Sequence, residues 1–187
     1  MAQSVTLIFG NIYSDDEETD LVDVFEAHGF EVQLGAVVRE SATPDILQMI
    51  IITVAGLSLK KVLDLFIAQA YDAWLRQPLA TTLFKPRGNQ DHSQDDSPNA
   101  PLLELGGSDA TIFITARDQH DLDVAMQHIR DVEDVAGRRN LYATSGTDIQ
   151  SFKYQDGMWR LYAGVPRTVY VYNPQTHDFD PGTPYTG

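Results

Sequence analysis

The sequence predicts an α+β fold: a mixed sheet of about five strands with four helices in the order βαβ–αα–β–ββα, followed by a C-terminal antiparallel β-hairpin or meander. Three observations predict it. Short apolar runs are bounded by turn residues, segments with a helical apolar period lie between them, and an Asp-Gly pair near the C-terminus has strand-like sequence on both sides. At 187 residues, the chain is long enough to bury a substantial core.

The first forty residues predict a β-α-β unit. Val5 to Phe9 is a short apolar run of the kind found in central strands. Ser14 and Glu17 have capping-box spacing, and the acids around them favour the positive end of a helix dipole, so we expect a helix over 16–28. A second strand is predicted over 31–38.

An uncharged and largely apolar segment runs from Ile46 to Leu59. It is too short to span a bilayer, which takes roughly 20 residues, and its length is typical of a buried or interfacial helix. Thr43 to Asp45 supply an N-cap, a proline and an acid in the order that begins a helix. We therefore predict a buried helix over 44–56 and a second, amphipathic helix over 58–77, which Pro78 ends.

The middle of the chain predicts two further strand segments, a loop and a helix. Residues 81–84 indicate a strand, whereas 86–100 are so polar that we expect a mobile loop. The runs at 102–105 and 110–115, joined by a Gly-Gly-Ser-Asp turn, predict a hairpin. Residues 119–134 have the apolar period of an amphipathic helix.

The C-terminal third is predicted to be a small β unit. Asp156-Gly157 is a strong signal for a two-residue hairpin turn. That turn places Tyr154 opposite Trp159 on one face and Lys153 opposite Arg160 on the other.

Residues 168–172 are predicted to add a third strand to this unit. The chain is accordingly divided into an α+β core domain over 1–146 and a small C-terminal β unit with a loose tail over 147–187.

Composition excludes several classes of site. The chain has no cysteine, which excludes disulfides, thiolate nucleophiles and iron–sulfur clusters. Its 27 acidic against 13 basic residues argue against nucleic acid as a partner. No secretory signal is visible, so a cytoplasmic location is expected. No cofactor or metal site is predicted, because no motif matches one and the acidic clusters lack the required spacing or a rigid anchor.

One cluster of residue types suits catalysis. Arg117, Asp118 and His120 lie where a predicted strand ends and a helix begins, a position at which α/β proteins often carry functional groups. His120 beside carboxylates could act as a general base. The alternative is structural: Thr115 or Asp118 caps the helix, and the acids occupy its first turn.

The hairpin region is the surface with the strongest interface composition, because Tyr, Trp and Arg dominate binding hot spots. Half of these side chains must face the core, and the two cations would favour an acidic partner. The interface candidates are Lys153, Tyr154, Trp159, Arg160, Tyr170 and Tyr172.

The N-terminal half resembles the effector-associated constant component domains of bacterial conflict systems. The resemblance covers Val5 to Phe84 and depends on the element order, strand, helix, strand, apolar helix and second helix, and on the helix end Ala73-Trp74-Leu75-Arg76-Gln77. It implies a non-enzymatic adaptor that partners an effector.

The primary hypothesis is a non-catalytic interaction or adaptor protein within a complex, such as a conflict-system or regulatory component, with another protein or a second copy as its partner. A first alternative is a small enzyme with a His/Asp/Arg site at the 115–123 junction, assisted by a divalent metal. A second alternative is a membrane-peripheral protein that uses the apolar helices of 46–77.

Overall fold

The computed structural model describes residues 3–10, 13–35, 48–85, 101–139, 141, 150–163 and 167–184. These residues form a mixed α/β structure built on one ten-stranded sheet. The strands are β1 (Gln3–Phe9), β2 (Phe30–Gly35), β3 (Met49–Val54), β4 (Leu102–Gly106), β5 (Ala110–Thr115), β6 (Gln150–Gln155), β7 (Met158–Ala163), β8 (Thr168–Asn173), β9 (Asp178–Phe179) and β10 (Thr183–Pro184).

Three helical segments accompany the sheet in the described part of the chain. The first and last are single α-helices, and the middle one is continuous but changes from α to π geometry and back. They are α1 (Asp15–Ala27), the run of α2 (Leu59–Leu65), a π-helical segment (Phe66–Leu75) and α3 (Arg76–Leu83), and α4 (Gln119–Arg138).

The strand order is β10-β8-β7-β6-β5-β4-β3-β1-β2, with β9 paired to β8 outside this path. The pairs β1/β2, β3/β4 and β5/β6 are parallel, and all other pairs are antiparallel. Each helical segment connects the two strands of one parallel pair, as parallel pairing requires a crossover. The general α+β class is therefore confirmed, although the described residues form a sheet of ten strands and not five, and three helical segments and not four.

The described helices all cover the same face of the sheet. One row of side chains runs in register across five neighbouring strands on this face, and each is at most 1% exposed. The row consists of Leu7, Ile52, Leu105, Ile112 and Phe152. Buried side chains of α1, α2 and α4 join these residues in a single core cluster. No described helix covers the opposite face, which we call the open face.

The predicted helix over 44–56 is wrong. Met49–Val54 is the strand β3, placed centrally between β1 and β4, and both Ile50 and Ile52 are fully buried. All residues from Ile50 to Val54 are β-branched, a composition that favours strands, and a short continuous apolar run is also typical of a central strand. The predicted helix start at Thr43 to Asp45 lies outside the described residues.

The predictions around Pro78 are also wrong. The helix predicted over 58–77 continues to Leu83, so Pro78 does not end it and 81–84 is not a strand. The preceding π geometry, in which Arg76 N–H donates to the Tyr71 carbonyl, changes the hydrogen-bond register just before the proline. Pro78 then falls in the first turn of α3, where a helix tolerates a residue without an N–H.

Several local predictions are confirmed. Ser14 and Glu17 form the capping box of α1, with Ser14 N donating to Glu17 Oε2 at 2.8 Å. The hairpin β4–β5 and helix α4 form where they were predicted. At the β6–β7 turn, Asp156 and Gly157 have φ angles of 54° and 74°, the left-handed pair that a type I′ turn requires.

The C-terminal strands belong to the same sheet as the rest of the chain, since β6 pairs with β5. Within the predicted tail, Phe179 is 4% exposed and belongs to the core cluster. The boundary at residue 147 stays a prediction about folding units, and the predicted loop over 86–100 lies outside the described residues.

Candidate functional site

The predicted catalytic cluster lies at the start of α4, where most of its groups stabilise the helix. Asp118 is the N-cap and accepts from Asp121 N at 2.8 Å. The buried Asp121 carboxylate accepts from Tyr154 Oη at 2.8 Å, and from the backbone N and the Nε of Arg117, both at 3.1 Å. The arrangement joins the end of β5, the first turn of α4 and strand β6.

Electrostatics also make Asp121 a poor proton acceptor. Burial alone would raise the pKa of its carboxyl, but the hydrogen bonds from Arg117 and Tyr154 outweigh burial and hold that pKa below the usual range. Burial and the bond to Asp121 raise the pKa of the Tyr154 hydroxyl. Neither group is therefore tuned toward neutral pH, as a general acid or base would be.

His120 lies apart from these groups, exposed on the first turn of α4. None of the described residues hydrogen-bonds to its ring. The neighbouring carboxylate, Asp123, is occupied by Tyr71 Oη at 2.9 Å and by Arg76, whose Nε lies 2.8 Å away. Among the residues that the structure describes, no polar group from a distant segment lies within hydrogen-bond reach of His120.

The described part of the chain holds no group of three or more His, Asp or Glu side chains placed to bind a metal ion. No helix within it has the length and apolarity needed to cross a membrane.

The predicted interface residues divide between the two faces of the sheet. Tyr154, Trp159 and Tyr172 are 2–4% exposed and face the helices. Tyr170 is partly buried against the same core. Lys153 and Arg160 lie on the open face, so only these two of the six candidates are available there to a partner.

The open face carries a mixed row of charged and apolar side chains. Ile51, Glu104, Phe113, Lys153 and Arg160 lie side by side in register across β3 to β7. Burial raises the pKa of the Glu104 carboxyl, which is flanked by Ile51 and Phe113 in this row. The middle of the open face is therefore partly desolvated even though no described helix covers it.

Two aromatic rings hold the lysine of this row. Lys153 Nζ lies 5.7 Å from the ring centroid of Phe113 and 5.2 Å from that of Tyr162. Both distances are within the range of cation–π attraction. On the neighbouring strand, Arg160 donates to the Gln155 carbonyl at 3.3 Å. We call Phe113, Lys153, Arg160 and Tyr162 the cation–aromatic patch.

Unlike most described lysines and arginines, the two cations of the patch have no carboxylate at ion-pair distance among the described residues. Seven Lys or Arg side chains form ion pairs with carboxylates: Lys60, Arg76, Lys85, Arg117, Arg130, Arg138 and Arg139. Among the described residues, the cations without a carboxylate at ion-pair distance are Lys61, Lys153, Arg160 and Arg167. The last three belong to the β6–β8 end of the sheet.

Sequence reasoning did not assign Phe113 or Glu104 to a site. The available signal was alternation in β5, where Phe113 lies between Ile112 and Ile114, both at most 1% exposed. Side chains alternate across a strand, so a buried pair places the residue between them on the other face.

No protein-family model, curated protein or solved structure matches this chain. The element order behind the resemblance to effector-associated constant component domains is not observed, because the segment predicted as its apolar helix is the strand β3.

Proposed function

We propose that this protein is a non-catalytic interaction protein that binds a protein partner through the open face of its sheet. The observation that supports this best is the cation–aromatic patch on a face that no described helix covers. Lys153 lies over Phe113 and Tyr162, Arg160 is its cross-strand neighbour, and neither cation has a carboxylate at ion-pair distance among the described residues. Aromatic and arginine side chains are the types that contribute most at protein interfaces.

The patch favours an acidic partner surface. The chain carries a net charge of −14, yet the cross-strand neighbours Lys153 and Arg160 have no carboxylate at ion-pair distance among the described residues. A carboxylate-bearing partner would supply the missing counter-charges, and the aromatic rings would supply apolar contact area.

The two alternative functions have less support. For the enzyme, the carboxylates near His120 are engaged in capping and hydrogen bonds, and no described polar group from a distant segment reaches its ring. The membrane-peripheral protein would use apolar helices over 46–77. Met49–Val54 in that range is the strand β3, and its Ile50 and Ile52 are fully buried in the core cluster.

The proposal can be tested with a fluorescein-labelled peptide of alternating glutamate and leucine, followed by fluorescence anisotropy. The Lys153→Glu and Arg160→Glu variants should each weaken binding by about fivefold or more, because each replaces an attraction with a repulsion. Lys61→Glu is the matched control, since Lys61 is an exposed cation without a described carboxylate partner but lies on α2.

Equal loss of binding in all three variants would show that the peptide responds only to net charge and would contradict a defined site. Unchanged binding in the Lys153 and Arg160 variants would also contradict it. Circular dichroism of each variant, compared with the wild type, establishes that the sheet is intact.

A further inference from the structure

The outer edge of β2 ends the sheet on the side away from the patch. Within the described residues, no strand pairs with this edge. An edge strand presents a row of unpaired N–H and C=O groups, which natural proteins usually protect with charged side chains, above all lysine, with proline or with a bulge. β2 reads FEVQLG: it has no lysine or proline, its single charged residue is Glu31, and its Leu34 side chain is 59% exposed.

A groove with aromatic lining lies on the helix-covered side at the start of β1 and β2, where Gln3 and Phe30 are paired. It has a volume of about 360 Å³, and its lining includes Phe30 at the start of β2, His28, and Leu65 and Trp74 of the middle helix. The His28 ring stacks on Trp74 with centroids 4.0 Å apart and planes inclined by 10°, and Phe30 lies 6.0 Å from Trp74. Trp74 belongs to the π-helical segment, and π geometry is frequent at functional sites.

The N-terminal segment that contains β2 carries acidic side chains and no basic ones. Residues 3–35 contain eight acidic side chains and no lysine or arginine. Glu31 is exposed and, by its register with Ser4, projects from β2 to the open face. The described lining of the groove contains no lysine or arginine. The nearest cations along the middle helix are Lys61, four residues before Leu65, and Arg76, two residues after Trp74 and paired with Asp123.

We infer that the outer edge of β2 and the adjoining groove bind an extended basic peptide segment of a partner protein, which adds to the sheet as a further strand. This mode of recognition combines main-chain hydrogen bonds along the edge with pockets for alternate side chains. The site goes beyond the proposed function, since it lies at the other end of the sheet and takes a partner of opposite charge.

The alternation of side chains along β2 determines which peptide sequence fits its outer edge. Phe30, Val32 and Leu34 point to the helix-covered side, so every second residue of the peptide should be apolar to contact Leu34 and enter the groove. The residues between them point to the open face beside Glu31 and Gln33, where lysine or arginine would pair with the carboxylate.

A second copy of this chain fits the edge poorly. Pairing β2 with the β2 of a second copy would bring two α1–β2 regions together, each with eight acids and no lysine or arginine. Like charges placed together across an interface oppose association. A basic segment from another protein would instead be attracted to these acidic side chains.

The test uses the full chain and a labelled heptapeptide of alternating valine and lysine, with blocked ends, in fluorescence anisotropy. Leu34→Asp should weaken binding about tenfold or more, because it removes the exposed apolar contact. Glu31→Lys should weaken it about threefold or more and should reduce its salt dependence. Met158→Asp is the matched control: Met158 is 42% exposed on β7, and we expect its variant to bind as the wild type does.

Two further probes test the mode of binding. A peptide with N-methyl groups at alternate residues, which blocks the ladder hydrogen bonds, should lose binding. A valine–glutamate peptide of the same length should not bind. The inference would be overturned if either probe bound as tightly as the valine–lysine peptide. It would also be overturned if the Leu34→Asp variant bound that peptide with wild-type affinity. So would a dimer in light scattering that dissociates on Leu34→Asp substitution, because the occupant would then be a second copy.

Discussion

At the scale of single residues, three tyrosines from neighbouring elements donate hydrogen bonds to α4. Each hydroxyl donates to a different aspartate of the helix, and each tyrosine comes from a different element: the π-helical segment, β6 and β8. In all three pairs the pKa of the tyrosine is raised, with burial as the largest cause, and the pKa of the aspartate is lowered, because hydrogen bonds outweigh burial. The pairs are Tyr71–Asp123, Tyr154–Asp121 and Tyr172–Asp131.

Removing one of these hydroxyls should cost measurable stability. We expect Tyr154→Phe to lower the free energy of unfolding by about 1–3 kcal/mol, because the buried Asp121 carboxylate loses a donor that water cannot replace. Urea denaturation measures the change. Tyr170→Phe is the control, since no described residue hydrogen-bonds to its hydroxyl, and a loss equal to that of Tyr154→Phe would contradict the role of the bond.

Glu104 on the open face should make stability depend on pH. Burial raises its pKa in the folded state, so between its unfolded and folded pKa values the folded protein holds more protons than the unfolded chain. The contribution of this group to the free energy of unfolding is therefore present below the unfolded pKa, about 4.3, and is lost as pH rises through the folded pKa.

Glu104→Gln should accordingly be more stable than the wild type at pH 7, and the difference should vanish below about pH 4. Urea denaturation over a pH series measures it, with Glu31→Gln as an exposed control on the same face. A variant that is less stable than the wild type at pH 7 would show that the charge of Glu104 is compensated in the folded state.

At the scale of elements, β3 shows how a local signal can be misread. The helix-starting residues Thr43 to Asp45 and the length of the apolar run both favoured a helix. The β-branched residues from Ile50 to Val54 favoured a strand. The strand lies centrally between β1 and β4, where its side chains on the helix-covered face are buried. The β-branched composition of β3 and its central position in the sheet therefore agree, whereas the length of the apolar run did not distinguish a helix from a strand.

Substitutions in β3 should alternate in cost. Ile52→Ala should lower the free energy of unfolding by about 2–5 kcal/mol, because Ile52 is fully buried on the core side. Ile51→Ala on the open face should cost roughly 1 kcal/mol or less, since its side chain is only partly buried. Chemical denaturation of the pair measures both, and equal costs would contradict the assignment of Ile51 to the uncovered side.

At the scale of the whole molecule, the one-sided sheet separates two kinds of surface. Helices cover one face and bury the core cluster, while the open face keeps its partly desolvated row of charged and apolar side chains. The cation–aromatic patch lies on β5, β6 and β7, and the acidic α1–β2 region ends the sheet on the far side of β4, β3 and β1. The proposed acidic and basic partners would therefore meet different ends of the same sheet, as an adaptor that bridges two proteins requires.

Sequence alone determined the elements whose signals are complete within a few residues. The capping box at Ser14 and Glu17, the Asp156-Gly157 turn and the pairing of Tyr154 with Trp159 all follow from local stereochemistry and strand alternation. The division of the hairpin into a core side and a Lys153–Arg160 side followed for the same reason.

Only the tertiary structure decided which segments share the sheet and which groups share a site. At the N-terminal end of α2, the Asp109 carboxylate accepts from Leu59 N at 2.6 Å across 50 residues of chain, whereas the side chain of Ser58, the N-cap residue, makes no capping hydrogen bond. Glu104 and Phe113 likewise become neighbours of Ile51 and Lys153 only through strand pairing. Such contacts depend on burial and strand order, which arise from the packing of the whole chain and not from the spacing of neighbouring residues.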